Sequence, residues 1–451
     1  MHPLTSHFVF GTIIALKNSK PIILRVMKKT IVLSLMAIFT LAACQEKMAL
    51  STTKVESFDN NEPGQPELEN TTESNESKYI SLSEQEMQLV SSNNDFAFNL
   101  FRKVDTDESH ILSPLSITYA LGMLNNGATG KTQQEINTTL GFGDAGADAI
   151  NAFCKKLLEE SPSLDKGTKV LIGNTIYTNK GYTLKPKFVK TAKEFYDATP
   201  ECRDFYDGKT LGVINQWASD HTNQMIQKVL DEKTFNPDAV SYLLNAIYFK
   251  GTWMDKFNKD RTKEALFNGK DKVMMMQQER KFQYADNDLY QSVRLPYGNG
   301  AYCMTVLLPH EDKSIEDVLN SLNSESWANN GYQMEEYIVD LKLPRFETTT
   351  DMELNKIMKE LGVARAFTRE AEFDEFCNTH TQIGLMKQVA KVKLDEEGTE
   401  AAAVTVIETM KSSAVPRKPE RVEFHANRTF LYVITEESTG AIFFIGEFTG
   451  E

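Results

Sequence analysis

Residues that could act as nucleophiles or bases are scattered along this chain. The sequence contains neither Gly-x-Ser-x-Gly nor His-Glu-x-x-His, the motifs that present an activated serine or a catalytic zinc ion. Its seven His residues are isolated from one another. Because a hydrolase needs a nucleophile with a base beside it, we expect that the protein is not an enzyme.

The cysteines do not form a metal-binding pattern either. Four of the five lie at wide spacings without a paired motif: Cys154, Cys202, Cys303 and Cys377. A zinc site is therefore not expected, and neither a metal nor a cofactor is predicted. Cys154 and Cys303 have apolar neighbours and are interpreted as core thiols. An even number of cysteines in an exported protein allows disulfides, but we expect that none is required.

One stretch, residues 396–409, begins like an exposed turn and continues like a strand of small side chains. Gly398 is a plausible pivot because glycine adopts backbone angles that other residues avoid. In an extended chain, one side is uncharged and mostly small: Thr399, Ala401, Ala403, Thr405 and Ile407. Glu400, Ala402, Val404, Val406 and Glu408 lie on the other side. Such a segment could enter a closed sheet without burying a charge. From this stretch alone, an Ala-rich helix or linker is an equal alternative.

Several other motifs occur in a fixed order around this stretch. They are Ile111 to Ile117, Asn126 to Thr132, Leu243 to Trp253 with Phe257, Leu361 to Val363 with Ala366 and Phe367, and Phe430 to Ile434 with Phe443 to Gly446. Together they resemble the serpin family from about Asn94 to Phe448, and residues 396–409 resemble the hinge of an inhibitory serpin's reactive-centre loop. The resemblance implies an α+β domain with three β-sheets, about nine α-helices and an exposed loop.

Particular residues take roles from this resemblance. The hinge comprises Glu396, Glu397, Gly398, Thr399, Glu400, Ala401, Ala402 and Ala403. Ser113, Ser116 and Asn245 resemble a buried hydrogen-bond cluster below the sheet that opens, and Gln388 stands where many animal serpins have His. Glu396 and Arg345 resemble an ion pair near Trp253 that holds the loop's entry point closed.

The resemblance also implies a reactive bond. Counting from Gly398 places this bond between Ser412 and Ser413. The loop is about three residues longer than in some relatives, and counting back from Phe424 moves the bond towards Val415. Met410 and Lys411 are alternative cleavage points. The expected function is inhibition of a serine or cysteine protease, trapped as a covalent acyl-enzyme by a monomeric inhibitor. The alternative is a non-inhibitory carrier or chaperone.

The beginning of the chain resembles the signal of a bacterial lipoprotein. Met27 to Thr30 is basic, Ile31 to Leu41 is apolar, and Leu41-Ala42-Ala43-Cys44 ends in the residue that carries the lipid. We therefore expect an upstream extension at 1–26, a signal peptide at 27–43, a lipidated Cys44 with a polar tether at 44–80, and the serpin domain at 81–451. The protein would be exported and anchored to a membrane. A plain signal peptide cleaved nearby is the alternative.

Charge and periodicity complete the sequence-based prediction. The net charge of −14 and the lack of a basic stripe argue against nucleic-acid binding. Helical spacing of apolar residues predicts helices at 94–103, 115–125, 149–159, 186–194 and 211–229. Alternating or continuous apolar runs predict strands at 242–250, 301–308, 337–343, 429–434 and 441–446.

Overall fold

The computed structural model describes residues 78–143, 145–399 and 419–450. These residues belong to one compact unit that spans residues 73–451. The described chain contains nine α-helices: α1 (Glu84–Phe101), α2 (Pro114–Asn125), α3 (Gly130–Thr139), α4 (Gly146–Glu160), α5 (Pro186–Tyr196), α6 (Thr210–His221), α7 (Ile315–Ser321), α8 (Ser324–Gln333) and α9 (Asn355–Leu361). None of these helices is long and apolar enough to cross a membrane.

Fourteen strands complete the described fold. They are β1 (His110–Leu112), β2 (Thr168–Asn179), β3 (Glu201–Arg203), β4 (Ser241–Thr252), β5 (Lys263–Phe267), β6 (Asp271–Asp286), β7 (Tyr290–Tyr297), β8 (Tyr302–Pro309), β9 (Glu335–Glu353), β10 (Leu385–Asp395), β11 (Gly398–Thr399), β12 (Arg421–His425), β13 (Phe430–Glu436) and β14 (Ile442–Phe448).

Two long strands connect three sheets into one hydrogen-bonded network. The first part of β9, up to Arg345, pairs with β6, and its second part, from Phe346, pairs with β10. The central sheet therefore has the order β3-β2-β4-β10-β9, with β11 at one end between β4 and β10. A second sheet contains β12, β9, β6 and β5, and a third runs from β6 through β7, β8, β13 and β14 to β1. The predicted α+β fold is confirmed.

Helix α2 lies in the centre of the core. Ser113 caps its first turn and Pro114 occupies the first helical position, where a missing N–H group is tolerated. All of its residues are buried. Helix α6, in contrast, ends at His221, although apolar spacing predicts it to continue to residue 229. Asn223 and Gln224 have positive φ angles, which cannot continue a right-handed helix.

We call the boundary between β4 and β10 in the central sheet the seam. Along the seam β4 and β10 pair directly in parallel, with Tyr242–Tyr248 opposite Leu385–Lys391. One face of the seam contacts α2 in the main core. The other face packs against a second apolar cluster that includes residues of α6 and of the connection between α6 and β4. A strand that entered at the seam would become the centre of the sheet.

Candidate functional site

The first two residues of the predicted strand already lie at one end of the seam. Gly398 and Thr399 form β11, which is antiparallel to both neighbours. Thr399 lies opposite Gly251 of β4 and Leu394 of β10. Gly398 has a φ of 145°, and a Cβ atom there would lie 2.1 Å from the carbonyl oxygen of Gly251. Only glycine fits this position.

Thr399 is fully buried, and its side chain forms a hydrogen bond with the phenol group of Tyr297. Its Oγ1 lies 2.8 Å from the hydroxyl oxygen of Tyr297. The Tyr297 ring stacks on Trp253 with a centroid distance of 4.4 Å. Burial raises the pKa of Tyr297 above its usual value, so the phenol stays neutral and can share a hydrogen bond with the threonine. Sequence reasoning did not identify Tyr297, because no motif marks its contact with a residue 102 positions away.

Glu396 is a nearly buried carboxylate beside this strand. Its side chain is 5 % exposed and accepts a hydrogen bond of 2.7 Å from the Thr262 hydroxyl. Arg345 Nη1 lies 3.8 Å from the same oxygen. Trp253 donates its indole N–H to the carbonyl oxygen of Asp395 at 2.9 Å. The structure thus brings Glu396, Arg345 and Trp253 together beside β11.

Glu397 is bound by two lysines that the sequence did not reveal. Lys256 Nζ lies 2.7 Å from one carboxylate oxygen and Lys259 Nζ lies 3.0 Å from the other. Hydrogen bonds from Lys256 and then Lys259 lower the pKa of Glu397, and the bond to Glu397 raises the pKa of Lys259. Lys256 and Lys259 follow shortly after Trp253 in the sequence, and this position was the one signal that could have predicted their contact with the hinge. These bonds attach the hinge to the segment that follows β4.

A second set of predicted residues forms a buried polar cluster where the seam meets α2. Gln388 and Asn245 face each other across the seam, and Gln388 Nε2 donates to Asn245 Oδ1 at 2.5 Å. Ser116 donates its hydroxyl to the same oxygen at 2.5 Å. Gln388 Oε1 accepts from the backbone N–H of Ser113 at 2.9 Å. This cluster therefore joins both sides of the seam to the start of α2.

Asn174 of β2 belongs to the same cluster, although sequence reasoning missed it. Asn245 donates to Asn174 Oδ1 at 2.8 Å. Asn174 and Asn245 are direct partners in the β2–β4 register, so they share a face of the sheet. All of the cluster's side chains are buried, which makes each lost bond costly unless a new partner replaces it.

The remaining predicted positions are loop residues and cysteines. Glu400, Ala401, Ala402, Ala403, Met410, Lys411, Ser412, Ser413 and Cys44 lie outside the described residues. Cys154, Cys202, Cys303 and Cys377 are unbridged. Burial raises the pKa of the Cys154 and Cys303 thiols, so both stay protonated. Within the described part of the chain, no three His, Cys, Asp or Glu residues are placed to hold a metal ion.

Comparison with known proteins identifies the family. The family model described as serpin (serine protease inhibitor) matches residues 91–450. The chain belongs to the serpin family. Human serpin B4 is 31 % identical over 390 residues, covering 80 % of this serpin and 99 % of that protein. A serpin-like protein of Thermococcus kodakarensis is 30 % identical, and the match covers 82 % of this chain and 87 % of that protein.

Solved structures show the same fold in proteins of different function. The thermophilic serpin tengpin in its native state is 26 % identical with a TM-score of 0.73, covering 83 % of this serpin and 97 % of that chain. Human thyroxine-binding globulin complexed with thyroxine has the same sequence identity and TM-score, and the match covers 80 % of this serpin and 98 % of that chain. Membership of the family therefore does not by itself separate inhibitors from carriers.

Proposed function

We propose that this serpin inhibits a protease by inserting its cut loop into the seam as a new strand. The observation that carries this proposal is β11, which pairs with both β4 and β10 at the end of a seam that is otherwise closed. An incoming strand would continue β11 in the same antiparallel register. In this proposal, the described hinge would be the first part of the inserted strand, and the closed seam would be the part that remains to be opened.

The register of β11 predicts where the later loop residues would go. If the strand continued in this register, each further loop residue would lie opposite the preceding residue of β4 and of β10. Ala401 would face the core between Phe249 and Val392, both of which are buried. Thr405 would lie between Asn245 and Gln388, where its hydroxyl could replace the bond that these two residues lose when the seam opens. The uncharged side of residues 399–407 therefore fits the buried face.

The proposed chemistry uses the target's own catalytic nucleophile. A target serine attacks the carbonyl carbon of the reactive bond, the peptide C–N bond breaks, and the new amino terminus leaves with the proton from the serine hydroxyl. The remaining ester links the protease to the inserting strand. Insertion then moves the protease away from its attack position and distorts its active site before water hydrolyses the ester. The serpin supplies the substrate bond and the stored free energy, and it needs no catalytic group of its own.

The decisive experiment mixes the protein with trypsin-like, chymotrypsin-like, subtilisin-like and elastase-like proteases. We expect at least one to form a covalent complex that survives boiling in detergent. Ala401→Glu should instead yield cleaved serpin and active protease, because its charge must enter the core. Ala402→Glu is the matched control, because this position would lie on the opposite face of the sheet, between Tyr248 and Lys391, and the variant should still trap. Equal trapping by both variants would contradict insertion, and failure of wild type with every protease would favour a carrier.

The reactive bond can be assigned in the same reactions. Cleavage after Ser412 would release a C-terminal peptide that begins at Ser413, whereas cleavage after Met410 or Lys411 would lengthen it. Mass spectrometry of this peptide with each protease distinguishes the three possibilities. Cleavage only before Thr405 or only after Arg417 would contradict the proposed reactive bond.

We also propose that the protein is exported and anchored through a lipid on Cys44. The support is the basic, apolar and small-residue pattern that ends at this cysteine. Cells fed a labelled fatty acid should incorporate label into the wild-type protein and not into Cys44→Ser. Cys202→Ser is a suitable control because Cys202 is exposed and lies in the serpin domain. Label retained by Cys44→Ser would exclude this anchor.

A further inference from the structure

Two of the unbridged cysteines, Cys202 and Cys377, contact the two ends of one short turn. This turn connects Asn179, the last residue of β2, with Leu184. Cys202 lies in β3, which pairs with the end of β2, and its Sγ is 3.5 Å from the carbonyl oxygen of Asn179. Cys377 pairs with Leu184 in an isolated antiparallel bridge. Each cysteine is therefore about one strand spacing, or roughly 5 Å, from the backbone of the same turn.

The chain around Cys377 is held against this turn. The hydroxyl of Thr379 donates to the carbonyl oxygen of Gly181 at 3.2 Å. Burial raises the pKa of the Cys377 thiol, Lys185 lowers it, and Cys202 adds a smaller increase. Because electrostatic interactions between two groups weaken with distance, this contribution of Cys202 agrees with the contacts in placing the two thiols near each other.

The four cysteines of the described chain differ in exposure, which determines the order in which they can react. Cys202 is exposed, whereas Cys154, Cys303 and Cys377 are buried. An exposed thiol is accessible to a small reagent, and a buried thiol is not. Burial raises the pKa of the Cys154 and Cys303 thiols, so these two should stay protonated and should not compete. Cys202 would therefore react first.

We propose that Cys202 and Cys377 form a disulfide bond by exchange with a small-molecule disulfide such as oxidised glutathione. The Cys202 thiolate attacks one sulfur of the reagent, a first reagent thiol leaves, and a mixed disulfide remains on Cys202. The Cys377 thiolate then attacks the Cys202 sulfur, and the second reagent thiol leaves. The protein loses two electrons and two protons in total, and these reduce one reagent disulfide to two thiols.

This bridge would lie at the end of the seam that is distant from β11. Cys202 is connected through β2 to β4, whereas the chain from Cys377 leads into β10 at Leu385. At the same end, the N–H group of Gly384 donates to the hydroxyl of Ser241 at 3.3 Å. An inserting strand would reach this end last, so the bridged protein should complete insertion more slowly. This consequence rests on the proposed insertion, whereas the bridge itself does not.

Peptide mapping of the full-length protein by mass spectrometry, after incubation with oxidised glutathione, tests the bridge. We expect a peptide pair that links Cys202 to Cys377. The thermal unfolding midpoint should also rise by several degrees, because a cross-link restricts the unfolded chain, and a reducing thiol should reverse this rise. Cys202→Ser and Cys377→Ser should each lose both effects, and Cys44→Ser, the matched control, should keep them. Glutathione that remains on Cys202, or a Cys202 thiol that stays free, would overturn the proposal.

The effect on insertion is measured separately, with a protease that forms the covalent complex and after both redox reagents have been removed. Compared with the reduced form, bridged wild type should yield more cleaved serpin and active protease per complex, by about twofold or more. Cys202→Ser should give the same ratio after either treatment. An equal ratio for bridged and reduced wild type would overturn the link between the bridge and the seam. If no protease forms a complex with either form, the proposed function fails, whereas the peptide map still decides whether the bridge exists.

Discussion

At the scale of single residues, Glu396 is held by a hydroxyl group more than by its ion pair. Its shortest bond is to the hydroxyl of Thr262, whereas Arg345 is 47 % exposed and lies 3.8 Å away. A partly hydrated pair of this kind contributes only about 0–1 kcal/mol. A buried carboxylate that accepts a short hydrogen bond is harder to replace. The motif in the sequence indicated Arg345 as the partner, and only the folded chain reveals Thr262.

Glu396→Lys should accelerate premature loop insertion or polymerisation. The new ammonium group would be buried beside Arg345, and Thr262 would lose its acceptor. We expect faster loss of monomer on warming, measured by native electrophoresis of the uncut protein. Glu347→Lys is the control, because Glu347 is exposed and loses a comparable ion pair, to Lys391. A monomer lifetime unchanged from wild type would contradict the importance of Glu396.

Glu447 should make the stability of the fold depend on pH. Burial, with a smaller contribution from Asp107, raises its pKa from 4.5 to about 7. Because the folded-state pKa is the higher one, the protonated carboxyl stabilises the fold fully below pH 4.5, and this contribution is lost as the pH rises through 7. Glu447→Gln should therefore raise the thermal unfolding midpoint at pH 8 by a few degrees and have little effect at pH 4. Equal shifts at both pH values would refute this assignment, and Glu335→Gln at an exposed position serves as the control.

At the scale of elements, the sequence predicted best where burial is uniform. The apolar run at 115–125 corresponds to α2, whose whole surface is buried. The run at 337–343 predicted only part of β9, because the strand continues to Glu353 through alternating buried threonines and exposed polar residues. The hinge was predicted as exposed, yet Gly398 and Thr399 are paired in β11. Small side chains that suit an inserted strand also allow Gly398 and Thr399 to pair in β11. Periodicity in the sequence does not distinguish an exposed hinge from a paired one.

Gly398→Ala should release β11 from the seam. The new Cβ atom would lie 2.1 Å from the Gly251 carbonyl oxygen, and the φ of 145° is disfavoured for alanine. We expect faster hydrogen exchange in the peptide that contains Thr399, because its backbone pairing with β4 would be lost. Gly208→Ala is a matched control, since a Cβ atom there meets no heavy atom within 4 Å. Exchange as slow as in wild type would mean that β11 tolerates the side chain.

At the scale of the whole molecule, the functional site depends on contacts between distant parts of the chain. Gln388 bonds to Ser113 across 275 residues and to Asn245 across 143. The sequence located these residues only through resemblance to a known family, because no local pattern links them. It could not locate Asn174 or Tyr297, because their contacts with the seam and with β11 form only in the folded chain. The spacing of residues in the sequence indicates periodicity within single helices and strands. The seam forms between strands that are distant in the sequence, so spacing does not predict it.

Cleavage of the loop should raise the thermal stability of the entire molecule. β4 and β10 pair directly along the seam, and of the residues that the structure describes only Gly398 and Thr399 lie between them, at its end. Insertion would add a central strand with hydrogen bonds on both sides and would give the uncharged face of the loop a place in the core. We expect a rise in the unfolding midpoint far above the 2–4 °C or so that correspond to 1 kcal/mol in a domain of 150–250 residues.

The measurement compares intact and cut protein by calorimetry, together with Ala401→Glu and Ala402→Glu after the same cut. Cut Ala402→Glu should become as resistant to heat as cut wild type, because its new charge stays at the outer face. Cut Ala401→Glu should gain less, because the glutamate must either stop the strand near its start or lie buried between Phe249 and Val392. If the cut wild-type protein unfolds at the same temperature as the intact one, the free energy that drives the trap is missing. The closed seam would then be the most stable arrangement of this chain, and an inhibitor of the proposed kind could not use it.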